Sequence, residues 1–189
     1  LRHLNIVSGR AETIAKTIGL ERKDQELSAI AAFCHDMGNF LSRSHHNYFA
    51  ALLFHQIFKD SFDPMDMADI MQAISNHDKQ QEDINFVSKM AAIVVLADKS
   101  DVHRSRVTVK KIEEIKSDMH DKVNYATTES SLKIDKVNKS ITLGLKIDTN
   151  FCSIMEYFEI FTERMVFCRK AAEFLGYNFG LIINKTRLL

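Results

Sequence analysis

Residues that interrupt helices are scarce in this sequence. One proline and six glycines occur among 189 residues, and tryptophan is absent. Proline and glycine are the strongest local breaks of regular structure, so the chain has few positions where a helix must end. Long segments with Ala, Ile, Leu and Met at helical spacing fill the intervals. The sequence therefore predicts a mainly α protein.

Paired cysteines, net charge and long apolar runs are also lacking. The three cysteines, Cys34, Cys152 and Cys168, are odd in number and far apart, which argues against a disulfide framework and favours the cytoplasm. Lys plus Arg and Asp plus Glu each number 25, so charge indicates no obligatory nucleic-acid partner. The longest apolar run, Met90–Ala97, is far shorter than the roughly 20 residues that span a bilayer, and we expect no membrane partner. The chain starts at Leu1 without a secretory signal pattern, so its natural N-terminus is expected upstream.

Six helix candidates follow one another in the first two thirds of the chain. Gly19 predicts the end of the first, and Asp63-Pro64 predicts the beginning of the fourth, because glycine is favoured just after a helix and proline in its first turn. The six predicted helices cover Leu4–Ile18, Lys23–Cys34, Asn47–Lys59, Pro64–Asn76, Asn85–Lys99 and Thr108–His120.

The residue pattern changes after Tyr125. The segments LKIDKV and SITLGLKID alternate apolar and polar residues, and VNKS between them supplies a tight turn. A β-hairpin is therefore predicted, followed by a long helix over Thr149–Leu175 and a third short strand in NFGLIINK. We expect residues 1–122 to form a helical domain and residues 123–189 a small α+β unit. The wide apolar surface of the long helix predicts packing on the hairpin sheet and, in addition, on either the helical domain or a second subunit in a homodimer.

Histidine and aspartate recur at the predicted helix ends. These residues are His3, His35, Asp36, His46, His77 and Asp98. A single histidine at a helix end is more often a cap or a hydrogen-bonded residue than a ligand. Together, imidazole nitrogens and carboxylate oxygens suit a divalent ion such as Fe, Mn, Zn or Mg. A bound cation would also offset the cost of burying the His35-Asp36 pair at the end of an apolar helix.

The order of these residues resembles the HD-domain superfamily of metal-dependent phosphohydrolases. Its pattern of an early His, a later His-Asp doublet and a closing Asp after an apolar helix matches His3, His35-Asp36 and Asp98, and AAFCHDMG is similar to the family's lead into its doublet. The resemblance covers residues 1–106. It implies an HD-type helical bundle with these residues as metal ligands at its centre.

Two further histidines bear on the number of metal ions. HHNYFAA and AISNHD resemble segments that carry extra ligands in dinuclear members of the family, which selects His46 over His45 and adds His77. The resemblance then implies two ions with Asp36 as a bridge. The alternative is a single ion, held by His3, His35, Asp36 and Asp98.

One position departs from the family's pattern. Many relatives have Gly-Lys after the doublet, whereas Asn39 follows the glycine here. Lys99, Arg104 and Arg106 are candidates to supply the missing positive charge to a substrate phosphate; a solvated helix end is an equally weighted alternative.

The implied chemistry is hydrolysis of a phosphate ester by a metal-activated water. The candidate catalytic residues are Asp36, Asp101 and Lys99. Asp101, and Asp78 beside His77, are candidates to relay the proton of that water or to hold a ligand histidine in one tautomer. A position on a helix surface is equally expected for Asp101. We expect a nucleotide or another small phosphorylated substrate; the alternative is a catalytically silent metal- or ligand-binding regulatory module of the same fold.

Overall fold

The structure of the chain, a computed structural model, describes residues 1–79, 85–109 and 111–188. Helices dominate, and a four-stranded sheet lies towards the C-terminus, which confirms the predicted fold class. The chain packs into two compact units, one formed by Leu1–Asp98 with Phe174–Gly176 and the other by Lys99–Glu173 with Tyr177–Leu189. A domain boundary between residues 122 and 123 stays a prediction.

The first unit is built from helices. Their bounds are α1 Arg2–Ile18, α2 Arg22–Cys34, α3 His46–Phe58, α4 Pro64–Asn76 and α5 Lys89–Lys99, close to the predicted ones. α1 packs on α2, and α4 packs on both α2 and α3. Ala11, Ala15 and Ala31 are fully buried, and such small side chains let neighbouring helices approach closely. Every side chain from Ala91 to Ala97 in α5 is also fully buried, as expected of a helix that is apolar on all sides.

Two helix ends follow the local signals in the sequence. Gly19 after α1 has a left-handed backbone with φ 88°, a conformation that glycine adopts without a steric penalty. At the start of α4, the Asp63 side chain accepts hydrogen bonds from the backbone N–H groups of Met65 and Asp66. These ends confirm the positions predicted for them.

The second unit joins two short helices to a sheet and a long helix. The bounds are α6 Ile112–Ser117, α7 Met119–Ala126, β1 Thr127–Asp135, β2 Ser140–Ile147, α8 Ile154–Phe174, β3 Asn178–Ile183 and β4 Thr186–Arg187. The strand order is β1-β2-β3-β4, with β2 and β3 parallel and the other two pairs antiparallel. α8 provides the long connection that two parallel strands require. The predicted hairpin, long helix and third strand are confirmed.

The single helix predicted over Thr108–His120 is wrong, because two helices lie in this region. Asp118 between them has an extended backbone, and its side chain accepts a hydrogen bond from the N–H of Asp121 at the start of α7. Aspartate favours such a capping position over a helix interior. Lys110, within the predicted helix, lies outside the described residues.

The apolar surface of α8 is buried only in part. Tyr157, Phe161 and Met165 are buried, whereas Met155 is exposed. Homodimerisation through this helix stays a prediction. Among the helices in the described ranges, none combines the length and the apolar character needed to cross a membrane.

Candidate metal centre

The His35-Asp36 doublet lies in the turn that follows α2. His35 is fully buried, and the side chain of Asp36 is three-quarters buried. Gly38 in this turn passes directly over the first turns of α3: an added Cβ would lie 2.2 Å from the carbonyl oxygen of His46 and 2.6 Å from the backbone nitrogen of Ala50. Glycine is therefore needed here for close approach, beyond the helix-ending role that its position predicts. This approach brings the doublet next to His46.

Asp36 is the common partner of four histidines. Its Oδ1 lies 3.2 Å from His46 Nε2 and 3.5 Å from His77 Nε2. Its Oδ2 lies 3.4 Å from His35 Nε2 and 3.8 Å from His3 Nε2. Each carboxylate oxygen therefore faces a different pair of imidazole rings.

Asp98 adds a second carboxylate on one side of the cluster. It follows the fully buried run of α5 and is itself almost fully buried. Its Oδ1 lies 3.2 Å from His3 Nε2 and 3.6 Å from His35 Nε2. The structure thus brings together all six residues that the sequence marked as candidate ligands.

Three of the histidines are held by the same kind of hydrogen bond. The Nδ1 atoms of His35, His46 and His77 lie 2.6, 2.9 and 2.7 Å from the backbone carbonyl oxygens of Ala32, Arg43 and Ile74, each three residues earlier. A carbonyl oxygen only accepts, so Nδ1 carries the hydrogen and Nε2 keeps its lone pair in the neutral ring. All three Nε2 atoms therefore present a lone pair to the Asp36 side of the cluster. No residue pattern indicates these backbone acceptors in advance.

The carboxylates of the cluster raise the pKa values of two of its imidazoles. Burial opposes ionisation of Asp36, but its contacts with His46 and His77 hold the pKa of the carboxyl well below its usual range. Burial likewise opposes charging of His35, yet the Asp98 and Asp36 carboxylates leave its pKa raised. The hydrogen bond to Asp36 raises the pKa of His46. Two carboxylates thus favour positive charge at the centre.

The nitrogen atoms show that a cation fits this centre. His46 Nε2 and His77 Nε2 lie 2.9 Å apart, and with both Nδ1 hydrogens committed to carbonyls, two lone pairs would face each other in the neutral rings. Within the described part of the chain, the buried Nε2 of His35 makes no hydrogen bond. A divalent ion would accept these lone pairs, and mixed nitrogen and oxygen donors suit Fe, Mn or Zn.

The donors form two groups that share one residue. Among the described residues, the groups are His3, His35 and Asp36 on one side and Asp36, His46 and His77 on the other, with the donor atoms of each group within 4.8 Å of one another. Asp78, singled out as a spare carboxylate, lies near this cluster, with Oδ2 3.7 Å from His46 Nδ1. The buried His and Asp groups could hold a divalent metal.

The other predicted site residues belong to the second unit. Lys99 is almost fully buried, with Nζ 5.8 Å from the centre of the Phe167 ring. Asp101 is fully buried, and its Oδ2 lies 3.6 Å from Arg106 Nη1. The alternative that Lys99 lies at a solvated helix end is therefore wrong. The alternative that Asp101 lies on a helix surface is wrong as well.

Arg104 differs from these residues in being exposed. Its guanidinium lies over the ring of Tyr125, 5.4 Å from the ring centre. Asn39, which replaces the family's lysine, is also exposed. The substrate-binding and catalytic roles of Lys99, Asp101, Arg104 and Arg106 stay predictions.

The first unit is thus a helical domain with a His-Asp doublet at its centre and further histidines around it. This arrangement is typical of domains that could hold a divalent metal. The HD domain family model matches residues 1–103, more than half of the chain. The chain belongs to the HD-domain family, and the resemblance found in the sequence is confirmed. Members of this superfamily are generally metal-dependent phosphohydrolases. No curated protein matches the chain significantly.

Proposed function

We propose that the protein is a metal-dependent phosphohydrolase that hydrolyses a nucleotide or another small phosphate ester. One observation carries the proposal: Asp36 presents one carboxylate oxygen to His3 and His35 and the other to His46 and His77. A carboxylate between two groups of donors suits a pair of divalent ions. We therefore also propose two ions for each chain.

The residues of the centre would divide the work as follows. A divalent ion, when bound, lowers the pKa of its water towards ~7 and provides positive charge for phosphoryl oxygens. His3, His35, His46 and His77 would hold the ions with Nε2, and Asp36 and Asp98 with their carboxylates. The hydrogen bonds from Nδ1 to backbone carbonyls fix the ring orientations and make the imidazoles better donors.

We assign to Lys99, Arg104 and Arg106 the task of pairing with the substrate phosphate. Arginine and lysine both bind phosphate through charge-assisted hydrogen bonds. The pair between Asp101 and Arg106 supports a role for Asp101 in orienting Arg106. A proton relay through Asp101, the sequence-based role, would require this pair to open.

A catalytically silent metal- or ligand-binding module is the second candidate. It is favoured by Asn39, an uncharged residue where many relatives have lysine. Without that lysine the turn after the doublet supplies no side-chain charge to a phosphate. The enzyme and a metal-binding module differ only on turnover, whereas a ligand-binding module need not hold a metal.

The test combines metal analysis with a substrate screen. The purified protein is expected to hold about two ions per chain after loading with Mn²⁺ or Fe²⁺, as a paired-metal centre requires. It should then release phosphate or a nucleoside from at least one member of a panel of nucleotides and simple phosphate monoesters and diesters. Full metal content without turnover of any ester would overturn the enzyme in favour of the module. Failure to retain any metal would reject the enzyme and the metal-binding form of the module.

The stabilisation of the protein by added metal should increase with pH. Without metal, the raised pKa values of His35 and His46 give stability that is complete below about pH 6.5 and is lost as the pH rises through their folded-state values. The lowered pKa of Asp36 acts at the acid end, where stability is lost as the pH falls below about 4. Metal requires deprotonated imidazoles, so the gain in melting temperature on adding Mn²⁺ should grow with pH. A gain that shrinks between about pH 6 and about pH 8 would contradict this expectation.

A further inference from the structure

A groove of about 520 Å³ lies on the sheet of the second unit. This volume is within the range of ~300–1,000 Å³ typical of sites for small organic ligands. Its lining includes Glu129, Ser131, Gly144, Lys146, Ile182 and Lys185. None of these residues belongs to the metal centre, so the groove is a separate feature of the chain.

A glycine, Gly144, lies in the middle of the floor of the groove. Ser131 of β1, Gly144 of β2 and Ile182 of β3 are direct neighbours in register and form one row across the sheet. A Cβ added to Gly144 would lie 2.8 Å from Ser131 Oγ. Glycine weakens a strand interior and, where no bulge or bend needs it, marks a close approach of another group. The register irregularity of β1 lies elsewhere, at Thr127/Glu129, and the group that approaches Gly144 closely is the Ser131 hydroxyl, which donates a hydrogen bond to the Gly144 carbonyl oxygen. Gly144 itself adds no side chain to the floor of the groove.

The rim of the groove carries an excess positive charge. Lys146 Nζ pairs with Glu129 Oε1 at 2.8 Å, which neutralises both side chains. Lys185 makes no ion pair with any residue in the described ranges. Of the three charged residues that line the groove, two are lysines and one is a glutamate, so the net charge is one positive.

Lys185 occupies a turn position at which glycine would be favoured. Asn184 and Lys185 connect β3 to β4, and both have left-handed backbones, with φ 49° and 70°. Two-residue turns of this kind prefer Asn-Gly, because a Cβ at the second position is strained. The side chain of Asn184 fixes the turn by two hydrogen bonds to the backbone of Ile147. The chain therefore places a lysine beside the groove at a cost in stability.

We propose that this groove binds a small organic phosphate. The flat, uncharged part of the ligand lies over Gly144 and Ile182, and its phosphate pairs with Lys185. The unpaired lysine supplies a charge-assisted hydrogen bond to the phosphate. The neutral floor accepts a ring that carries no charge of its own.

Adenosine monophosphate is the probe for this site. Isothermal titration of the full chain, kept metal-free with EDTA, removes the contribution that the metal centre could make to phosphate binding. Adenosine monophosphate should bind at least about tenfold more tightly than adenosine or inorganic phosphate, because only it combines a flat uncharged ring with a phosphate group. Absence of binding at millimolar concentration overturns the proposal, as does equal affinity for the three compounds.

Lys185→Gly separates a ligand role from a structural one. It should weaken binding of adenosine monophosphate about tenfold and at the same time raise the melting temperature, because glycine relieves the left-handed backbone. Lys139→Gly is the matched control: Lys139 also has a left-handed backbone, with φ 49°, but it lies outside the groove and contacts the Tyr177 ring. Unchanged affinity in Lys185→Gly, or an equal loss in both variants, overturns the proposal.

Gly144→Ala tests the floor of the groove. The added methyl group meets only the hydroxyl of Ser131, which can rotate away, so the variant should fold. It should still weaken binding by at least about threefold, because the methyl group fills the space below the ligand. A folded Gly144→Ala variant with wild-type affinity contradicts the proposed position of the ring.

Discussion

Asp36→Ala is expected to abolish metal retention and phosphoester hydrolysis together. Both oxygens of Asp36 face imidazole pairs, so its removal takes a donor from both groups and the negative charge that lies between them. Loss of residues that merely support a ligand costs about 10–100-fold in metal affinity, and loss of a shared ligand should cost more. Metal content measured on purified protein and turnover of the best substrate should fall by at least about 100-fold.

His120→Ala is the control for this variant. His120 is exposed on α7 and belongs to neither group of donors. It should keep the metal content and the activity of the unaltered protein. Asp36→Ala with full metal content would reject the assignment of Asp36 as a ligand. A variant that loses activity but keeps its metal would restrict Asp36 to a role in catalysis.

Gly38→Ala should be among the most destabilising single changes in the first unit. Its methyl group would overlap two backbone atoms at the start of α3, the His46 oxygen and the Ala50 nitrogen, and backbone cannot move aside as a flexible side chain can. Overpacking of a well-packed region costs about 1–3 kcal/mol, and a clash with backbone lies at or above the upper end of that range. Urea unfolding should show a loss of about 3 kcal/mol or an absence of folded protein.

The same substitution at Gly9 provides a matched control. Gly9 lies in the exposed interior of α1, and nothing within 4 Å would meet an added Cβ. Alanine there should stabilise the helix by about 0.5–1 kcal/mol, because glycine is the poorer helix former. A Gly38→Ala variant as stable as Gly9→Ala would show that the turn after the doublet can be displaced. If it folds, its metal content reports whether displacement of His46 disrupts the centre.

The folded elements with strong local signals could be predicted from the sequence. Gly19 and Asp63-Pro64 act within one turn of the chain, so the ends of α1 and α4 follow from local chemistry. The division at Asp118 could not be predicted, because apolar residues keep helical spacing on both sides of it and indicate one continuous helix; these residues are Ile112, Ile115, Met119 and Val123. β4 was missed because two residues are too few to show one.

The candidate site could be predicted in composition but not in arrangement. The order of histidines and aspartates in the chain marked the six residues, yet only the packing of four helices and a turn brings their donor atoms together. Each carboxylate oxygen of Asp36 faces a different pair of imidazoles, and the spacing of residues in the sequence cannot predict these distances. The burial of Lys99 and Asp101 could not be predicted, because their polar segment gives no sign of the packing around it; Phe167, which lies beside Lys99, is far away in the sequence.

The hydrogen bonds that orient His35 and His77 end on the main chain of the helix that precedes each ring. Ala32 and Ile74 lie in the last turns of α2 and α4, where carbonyl oxygens lack the usual helical partner four residues later. The Ile74 oxygen also accepts a hydrogen bond from the backbone N–H of His77. Any residue type at these two positions offers the same acceptor, so the ring orientations tolerate substitution there as long as the helix persists. The orientations of these two rings therefore depend on where the helices end. Substitutions at the acceptor positions would leave the orientations intact.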